Sequence, residues 1–499
     1  MVRKTINAML ILLGLFVSAG MVFFLFYHIP SGYGIILYFG LYSIAAIAMV
    51  IYYPKIDSIS GKMRRAYGGV SVLFTTNLTV RICLILFTAI VCGAYALNVR
   101  LFYEGDISGL LYRSIGLTEG TMHDYRYAAV FPHILRYPAF VSVFMKIFGK
   151  SVLVNIAINQ IAVIAAVQLV FSYLKLYVHP KAALAGALSA ALNPTLWIYA
   201  NTPNAELLFG VFALAALYCF SYGTVGNFKK VFVGASLALC AAAQYFRPLG
   251  IIALIALLIS LITGSGIKPK YKAILTAGGI GFFILCSILS SKMIPLLTDH
   301  PVPKKSYGWN LYVGASEHGT WNAADGEVFQ SVFENTTTTD EVQNYFAKKA
   351  FERYAKMGAG IPVHLFKKLW IWTSSDYIRS VAALERRSGN GFDFGNGSAY
   401  RAIIYIYNAL MSLFAAMAVA VLPIIRLRKK ETIEPALYFF AGSVLLMMFT
   451  EIAERYTIGY RFLYSIFAVQ AFSVLRHNRK TGAPGSSSAV QTTRLSLKR

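Results

Sequence analysis

Runs of about 20 apolar residues recur along the whole chain, each long enough to cross about 30 Å of hydrocarbon as a helix. A hydrocarbon interior offers no partner to backbone N–H and C=O groups, so only segments that satisfy them internally can cross it. The spacing therefore predicts an all-α, polytopic membrane protein. The apolar runs fall at 6–27, 34–53, 80–99, 152–176, 182–200, 205–222, 229–246, 249–264, 273–294, 400–425, 435–452 and 460–475, about twelve transmembrane helices in all. The first run is too long for a signal-peptide core and lacks a small-residue cleavage site, so it reads as a retained helix. Charged residues make up only 13% of the 499, against roughly 25% in soluble domains.

Those charges are strongly biased, with a formal net charge of +25. The Lys and Arg sit in short loops beside the apolar runs, which makes membrane lipids, not nucleic acid, their expected partner. Lys55, Lys62, Arg64 and Arg65 lie between the second and third runs, with Arg81 at the start of the third. Arg426, Arg428, Lys429 and Lys430 follow the tenth, and Arg476, Arg479, Lys480, Arg494, Lys498 and Arg499 fill the tail. With twelve spans all three groups fall on one side, which the positive-inside rule makes cytoplasmic, both termini included.

This orientation divides the chain. Residues 1–79 form a two-helix membrane segment and a cytoplasmic loop. Residues 80–294 form a transmembrane core carrying a first outer loop, 100–151. A second extracytoplasmic loop spans 295–398, followed by C-terminal transmembrane helices (399–476) and a basic cytoplasmic tail (477–499). The tail, rich in Gly, Ser and Thr, is expected to be disordered. The outer loops carry Trp309, Trp321, Trp370 and Trp372 and are expected to fold, with surface helices such as 341–357. The five cysteines all lie in apolar runs without CxxC spacing and read as small apolar residues.

Several chemistries are missing from the pattern. The sequence has no GxxxxGK[ST] loop, no GxGxxG after a strand, and no HExxH or Cys/His metal spacing. No cofactor is expected, and metal dependence is not indicated, although the carboxylates of the first outer loop could hold a cation. No cytoplasmic loop is long enough for a nucleotide-sugar-binding α/β domain, so any sugar donor must be carried on lipid and used outside.

Chemistry-bearing residues cluster at the outer ends of the apolar runs. The first outer loop opens with LFYEGDISGLLYRS, which places Glu104 and Asp106 at the membrane–water boundary. A partly desolvated carboxylate there can act as a general base. An Asp before an apolar-periodic run is equally a common helix cap. The same loop offers His123, Asp124, Arg126, His133 and Arg136. Lone histidines are more often structural, and these matter because they share a loop with Asp106. Arg247, in QYFRPLG, and Glu451, Glu454, Arg455 and Arg461, in FTEIAERYTIGYRFLY, sit beside hydrocarbon. Such arginines either snorkel and pair locally, or clamp an anionic group with a fork that matches phosphate.

In their order along the chain these residues resemble the GT-C superfamily of membrane glycosyltransferases, which includes the protein mannosyltransferases and lipid A aminoarabinose transferases. The likeness is spread over roughly 80–475. It rests on Gly105–Asp106 soon after a span, on FPHILRYPAFVSVFMKIFG, and on ALNPTLWIYANTPNAELLF with the carboxylate Glu206. It continues through Arg247–Pro248, YGWNLYVGASEHGTWNAAD and the ERY at Glu454–Tyr456. The chain departs from that pattern in three ways. Its first carboxylates read ExD in place of DE or DD, which leaves Glu104 and Asp106 as alternatives. Two extra spans precede the usual start. The second outer loop is too short for a separate domain of the oligosaccharyltransferase kind.

The resemblance implies a GT-C-like fold and an inverting transferase. It would move one sugar from a polyprenyl-phosphate carrier to an acceptor hydroxyl on a glycan, lipid or protein, on the outer face of the cell membrane. Asp106 or Glu104 would be the base. Arg247, Arg455, Arg461 and His133 would neutralise the leaving phosphate, with Asp124 and Glu206 also in the substrate site. A transporter or flippase of lipid-linked glycans, or a glycan polymerase, is the alternative. A transporter is expected to show repeat halves and charges buried in mid-span, and neither is evident.

Overall fold

The computed structural model describes residues 78–98, 105–122, 125–225, 229–264, 267–373, 407, 411, 419–424, 426 and 433–481. The first two expected spans, the 54–79 loop up to its last two residues, Glu104, Asp124, most of the 400–425 span and the tail beyond 481 lie outside the described residues. Within them the chain is all-helical. The first part of the described chain comprises α1 (Leu78–Asn98), α2 (Gly105–Glu119), α3 (Arg126–Val130), α4 (His133–Phe148), α5 (Val152–Leu174), α6 (Pro180–Ala191), α7 (Pro194–Ala200), α8 (Glu206–Thr224), α9 (Lys230–Phe246), α10 (Gly250–Thr263) and α11 (Pro269–Thr298). Beyond it come α12 (Gly308–Gly314), α13 (Ala323–Asn335), α14 (Thr339–Met357) and α15 (Ile361–Thr373). Then come α16 (Pro435–Phe449), a 3₁₀ turn (Glu454–Tyr460) and α17 (Arg461–Thr481).

Among the described residues four helices are long and apolar enough to cross a membrane: Leu78–Ala96 of α1, α5, α8 and α11. Shorter apolar helices, α9, α10 and α16, pack beside them. The helix boundaries follow local signals. Ser151 caps α5 by accepting from Leu153 N–H, and Pro180, Pro194, Pro269 and Pro435 each stand in the first turn of a helix, where a missing N–H costs nothing. Thr338 and Glu341 form a reciprocal capping box at the start of α14, worth about 1 kcal/mol.

The expected single helix over 182–200 is two helices, α6 and α7. Pro194 disfavours a helical conformation at the residue before it. Asn193 is accordingly extended, and its side chain caps Thr195 N–H at 3.0 Å. The helix expected over 273–294 runs further in both directions, as α11, and the 435–452 run ends as a helix at Phe449.

Apolar side chains gain little from meeting each other within lipid, so helices there associate through close backbone approach and polar contacts. Both are present. A Cβ at Gly210 of α8 would lie 2.8 Å from Gly459, so the 3₁₀ turn rests directly on α8. In the interior, Tyr137 donates to Asn155 at 3.0 Å, and Asn159 donates to Thr202 O at 2.5 Å. These bonds tie α4 to α5, and α5 to the turn before α8.

Beyond the bundle, α12, α13 and α14 enclose an aromatic core of Trp309, Tyr312, Phe329 and Phe346, which also takes in Val130 and Phe131 from the first loop. The two segments expected to be folded loops thus pack on one another as a single helical unit. Arg126 reinforces the contact, donating to Phe333 O at 3.0 Å and Thr336 Oγ1 at 2.8 Å.

Candidate active site

Four charged side chains from distant parts of the sequence form a continuous chain: Asp106, Arg455, Glu206 and Arg247. Arg455 donates to Asp106 at 2.5 Å and reaches Glu206 at 3.8 Å, while Glu206 also pairs with Arg247. Each is placed by a local device. Gly105, at φ +55°, turns the chain so that Asp106 enters the first turn of α2, where the helix dipole favours a carboxylate. Asn204 holds the turn before α8, donating to Tyr199 O and Thr202 O and accepting from Leu207 N–H. That fixes Glu206 as the first residue of α8, again at a helix N-terminus. Pro248 ends α9 and favours the extended conformation at Arg247 (φ −142°, ψ 137°). The 3₁₀ turn on α8 delivers Arg455.

The four differ in exposure. The Glu206 side chain is 5% exposed and Arg247 13%, whereas Arg455 is 29% and Asp106 61% exposed. The Glu206–Arg247 pair therefore lies within the protein, and Arg455 and Asp106 form its open end. Both guanidinium groups stand within 5.5 Å of the Tyr456 ring centre. The Arg455 charge holds the Asp106 carboxyl below the usual carboxylate range, with help from Arg113 and Arg247. Asp106 is therefore ionised at neutral pH.

His133, at the start of α4, is partly buried within electrostatic reach of Arg247, Arg455 and Asp106. Burial, then the Arg247 charge, lowers its pKa to about 3. It is a neutral imidazole here, able to donate or accept a hydrogen bond but not to supply the cation expected of it. Glu451 is a second carboxylate in the same field. Burial raises its pKa, opposed by Arg455 and Arg247, and the Tyr456 hydroxyl donates to it at 3.4 Å. The two carboxylates are thus pushed in opposite directions. The Tyr127 hydroxyl senses both Asp106 and Glu451.

Of the residues singled out from sequence, the structure brings together Asp106, Arg455, Glu206 and Arg247, with His133 beside them. Arg461 stands apart: it is buried at the head of α17, with its guanidinium 5.4 Å from the Tyr464 ring. Glu104 and Asp124 lie outside the described residues. Tyr127 and Tyr456 were not singled out for a role. For Tyr456 the signal was its place in the ERY triplet. Glu451 was noted only as a partner for an arginine. Among the described residues no three His, Cys, Asp or Glu side chains are grouped as a metal ion would need.

Comparison with known proteins gives a partial family match. The model for dolichyl-phosphate-mannose-protein mannosyltransferases matches residues 132–290. That stretch carries His133, Glu206 and Arg247. No curated protein sequence matches the chain. Among solved structures, the archaeal oligosaccharyltransferase AglB from Archaeoglobus fulgidus, in complex with an inhibitory peptide and a dolichol-phosphate, is similar at 12% identity and a TM-score of 0.44. That match covers 84% of this chain and 53% of AglB. The Archaeoglobus fulgidus oligosaccharyltransferase complex with Zn and sulfate gives 12% identity and a TM-score of 0.46, covering 81% of this chain and 50% of the other. The chain thus spans about half the length of these structures. Over residues 132–290 it is similar to the dolichyl-phosphate-mannose-protein mannosyltransferases, the membrane-glycosyltransferase relationship that its order of motifs pointed to.

Proposed function

We propose that the protein is an inverting glycosyltransferase of the membrane. It moves a single sugar from a polyprenyl-phosphate carrier to an acceptor hydroxyl on the outer face of the cell membrane. The observation that carries this reading is the continuous Asp106–Arg455–Glu206–Arg247 chain, open at its Asp106–Arg455 end. The sugar carried by such a donor leaves behind a phosphate monoester anchored in lipid. That leaving group needs cationic neutralisation more than a proton, and guanidinium forks match phosphate oxygens. Arg455 is the exposed cation and Arg247 the one behind it.

The acceptor hydroxyl needs a base, and Asp106 takes that role. While Arg455 holds it, Asp106 is a weak base. A donor phosphate that competes for Arg455 relieves this hold, so donor binding and base strength are coupled. His133 donates a hydrogen bond as a neutral imidazole, and the transition state is oxocarbenium-like, as in other glycosyl transfers. The basic loops support an extracytoplasmic face for this site. The acceptor is a glycan, lipid or protein bearing a free hydroxyl.

The test is direct. Purified protein is incubated with a panel of radiolabelled polyprenyl-phosphate monosaccharides and membrane extract. One donor should label an acceptor with wild-type protein and not with Asp106→Asn. Labelling by neither protein, across the panel, would overturn the reading.

A further inference from the structure

Lys368 is 0% exposed, in the middle of α15. A buried lysine is rare and needs partners. Its Nζ donates to Gly314 O at 2.9 Å and to Thr450 O at 2.6 Å. Gly314 is the last residue of α12, and Thr450 is the residue that ends α16. Both carbonyls therefore belong to helix C-termini, whose free oxygens and negative dipole ends favour a cation. One amine thus joins the end of an outer helix to the end of a bundle helix.

The surroundings are built for this contact. A Cβ on Gly314 would come within 2.5 Å of Phe449 O and the Thr450 carbonyl carbon. A Cβ on Gly319, at φ +67°, would strike the Lys368 stem at 2.6 Å. Four further bonds surround the same contact. Glu451 N–H donates to Asn310 O at 2.6 Å, and Ile452 N–H donates to Gly319 O at 2.8 Å. The Tyr354 hydroxyl donates to Phe449 O at 2.7 Å, and His364 Nε2 bonds Gly314 O at 2.9 Å. Residues 449–452 include Glu451 and lead directly into Arg455 and Tyr456.

We propose that Lys368 is a positioning residue of the candidate active site, locking the 449–452 segment, and with it Glu451 and Arg455, onto the outer helical unit. This rests on the transferase reading. The outer helices are then part of the catalytic framework. Burial brings the Lys368 pKa down to about 7, with Glu451 opposing the shift. The neutral amine still has enough N–H groups for both carbonyls, so the lock holds on either side of neutrality.

The test compares Lys368→Met, which keeps the stem and removes the donors, with Lys368→Gln, which keeps an N–H. Hydrogen exchange is read at the amides of Glu451 and Ile452 in detergent, and kcat and donor KM are measured in parallel. In Lys368→Met these two amides should exchange about tenfold faster or more, the size of a lost bond to a charged group, while the core of α5 and α8 stays protected. Turnover should fall by about tenfold or more and donor KM should rise, because Arg455, the exposed donor cation, follows the locked segment. Lys368→Gln should lie between wild type and Met. Unchanged exchange at the two amides, or a uniform rise through the bundle, overturns the proposal. Faster exchange with wild-type turnover overturns the positioning role. If Lys368→Met does not fold, Lys368→Gln is read by the same criteria. Local loosening in a protein that transfers sugar from no donor supports the lock and removes the transferase reading on which its catalytic role rests.

Discussion

Asp106 accepts a hydrogen bond from Arg455 at 2.5 Å across a sequence separation of 349 residues. The first turn of α2 and the 3₁₀ turn before α17 therefore meet at one point. Arg455 is also the bridge to Glu206, so the site carries two carboxylates and two guanidinium groups in series. A phosphate arriving at the open end meets a cation already shared between two anions, and its binding must redistribute both pairs.

The two arginines should respond differently to removal. Arg247→Ala leaves Glu206 buried with Arg455 at 3.8 Å as its remaining cation, and breaking a buried pair costs about 3–5 kcal/mol. Arg455→Ala leaves the Glu206–Arg247 pair intact and unpairs Asp106, which solvent already reaches. Arg247→Ala should therefore lower the unfolding temperature markedly, and Arg455→Ala should mainly weaken donor binding. Thermal unfolding and donor titration measure the two effects. Equal destabilisation by both variants would make Arg455 a structural residue.

The sequence made the helical class and the charged ends of the helices readable, because apolar length and basic loops report directly on lipid. It did not show that Asp106, Glu206, Arg247 and Arg455 converge, since convergence depends on how α2, α8, α9 and the 3₁₀ turn pack. It also grouped Arg461 with Arg455. The two differ by six positions, and the helical start at Arg461 turns it into the bundle beside Tyr464. Nothing in IPVHLFKKLW sets Lys368 apart from its neighbour Lys367. Its burial depends on two helix ends that only the tertiary structure brings together.

Topology can be checked independently of chemistry. Single cysteines at Ser108, in α2, and Thr338, which caps α14, should both react with an impermeant reagent added to intact cells, after the native cysteines are replaced. The expectation follows from the basic loops, which put both segments outside. Protection of both sites would reverse the orientation and move the candidate site to the cytoplasmic face.

His133 gives a pH signature. Its native pKa is about 3, below the roughly 6.5 of an unfolded histidine. Between those values the unfolded chain holds more protons, so this group makes stability rise with pH and fall as pH drops from about 6.5 toward 3. Carboxylates add a similar trend at the acid end, so the comparison is with His133→Asn. Unfolding temperatures at about pH 5 and about pH 7 should differ less in the variant than in wild type. An identical difference in both proteins would mean that His133 titrates normally.

Asp106→Asn should abolish transfer while leaving the protein folded. Asp106 sits in the first turn of α2 with its side chain 61% exposed, and an ion pair so open to solvent contributes only about 0–1 kcal/mol. Asn has nearly the same shape, suits a helix start, and can still accept a hydrogen bond from Arg455. What it cannot do is take a proton from an acceptor hydroxyl. The variant therefore separates the structural role from the catalytic one. Loss of a well-placed base should lower turnover by about 10²–10⁴-fold, with donor binding no weaker, because the base acts in the transition state and Asn competes less for Arg455. Near-wild-type turnover in Asp106→Asn beside an inactive Glu104→Gln would move the base to Glu104. If both variants stay active, the base must be sought at Asp124 or the transferase reading given up.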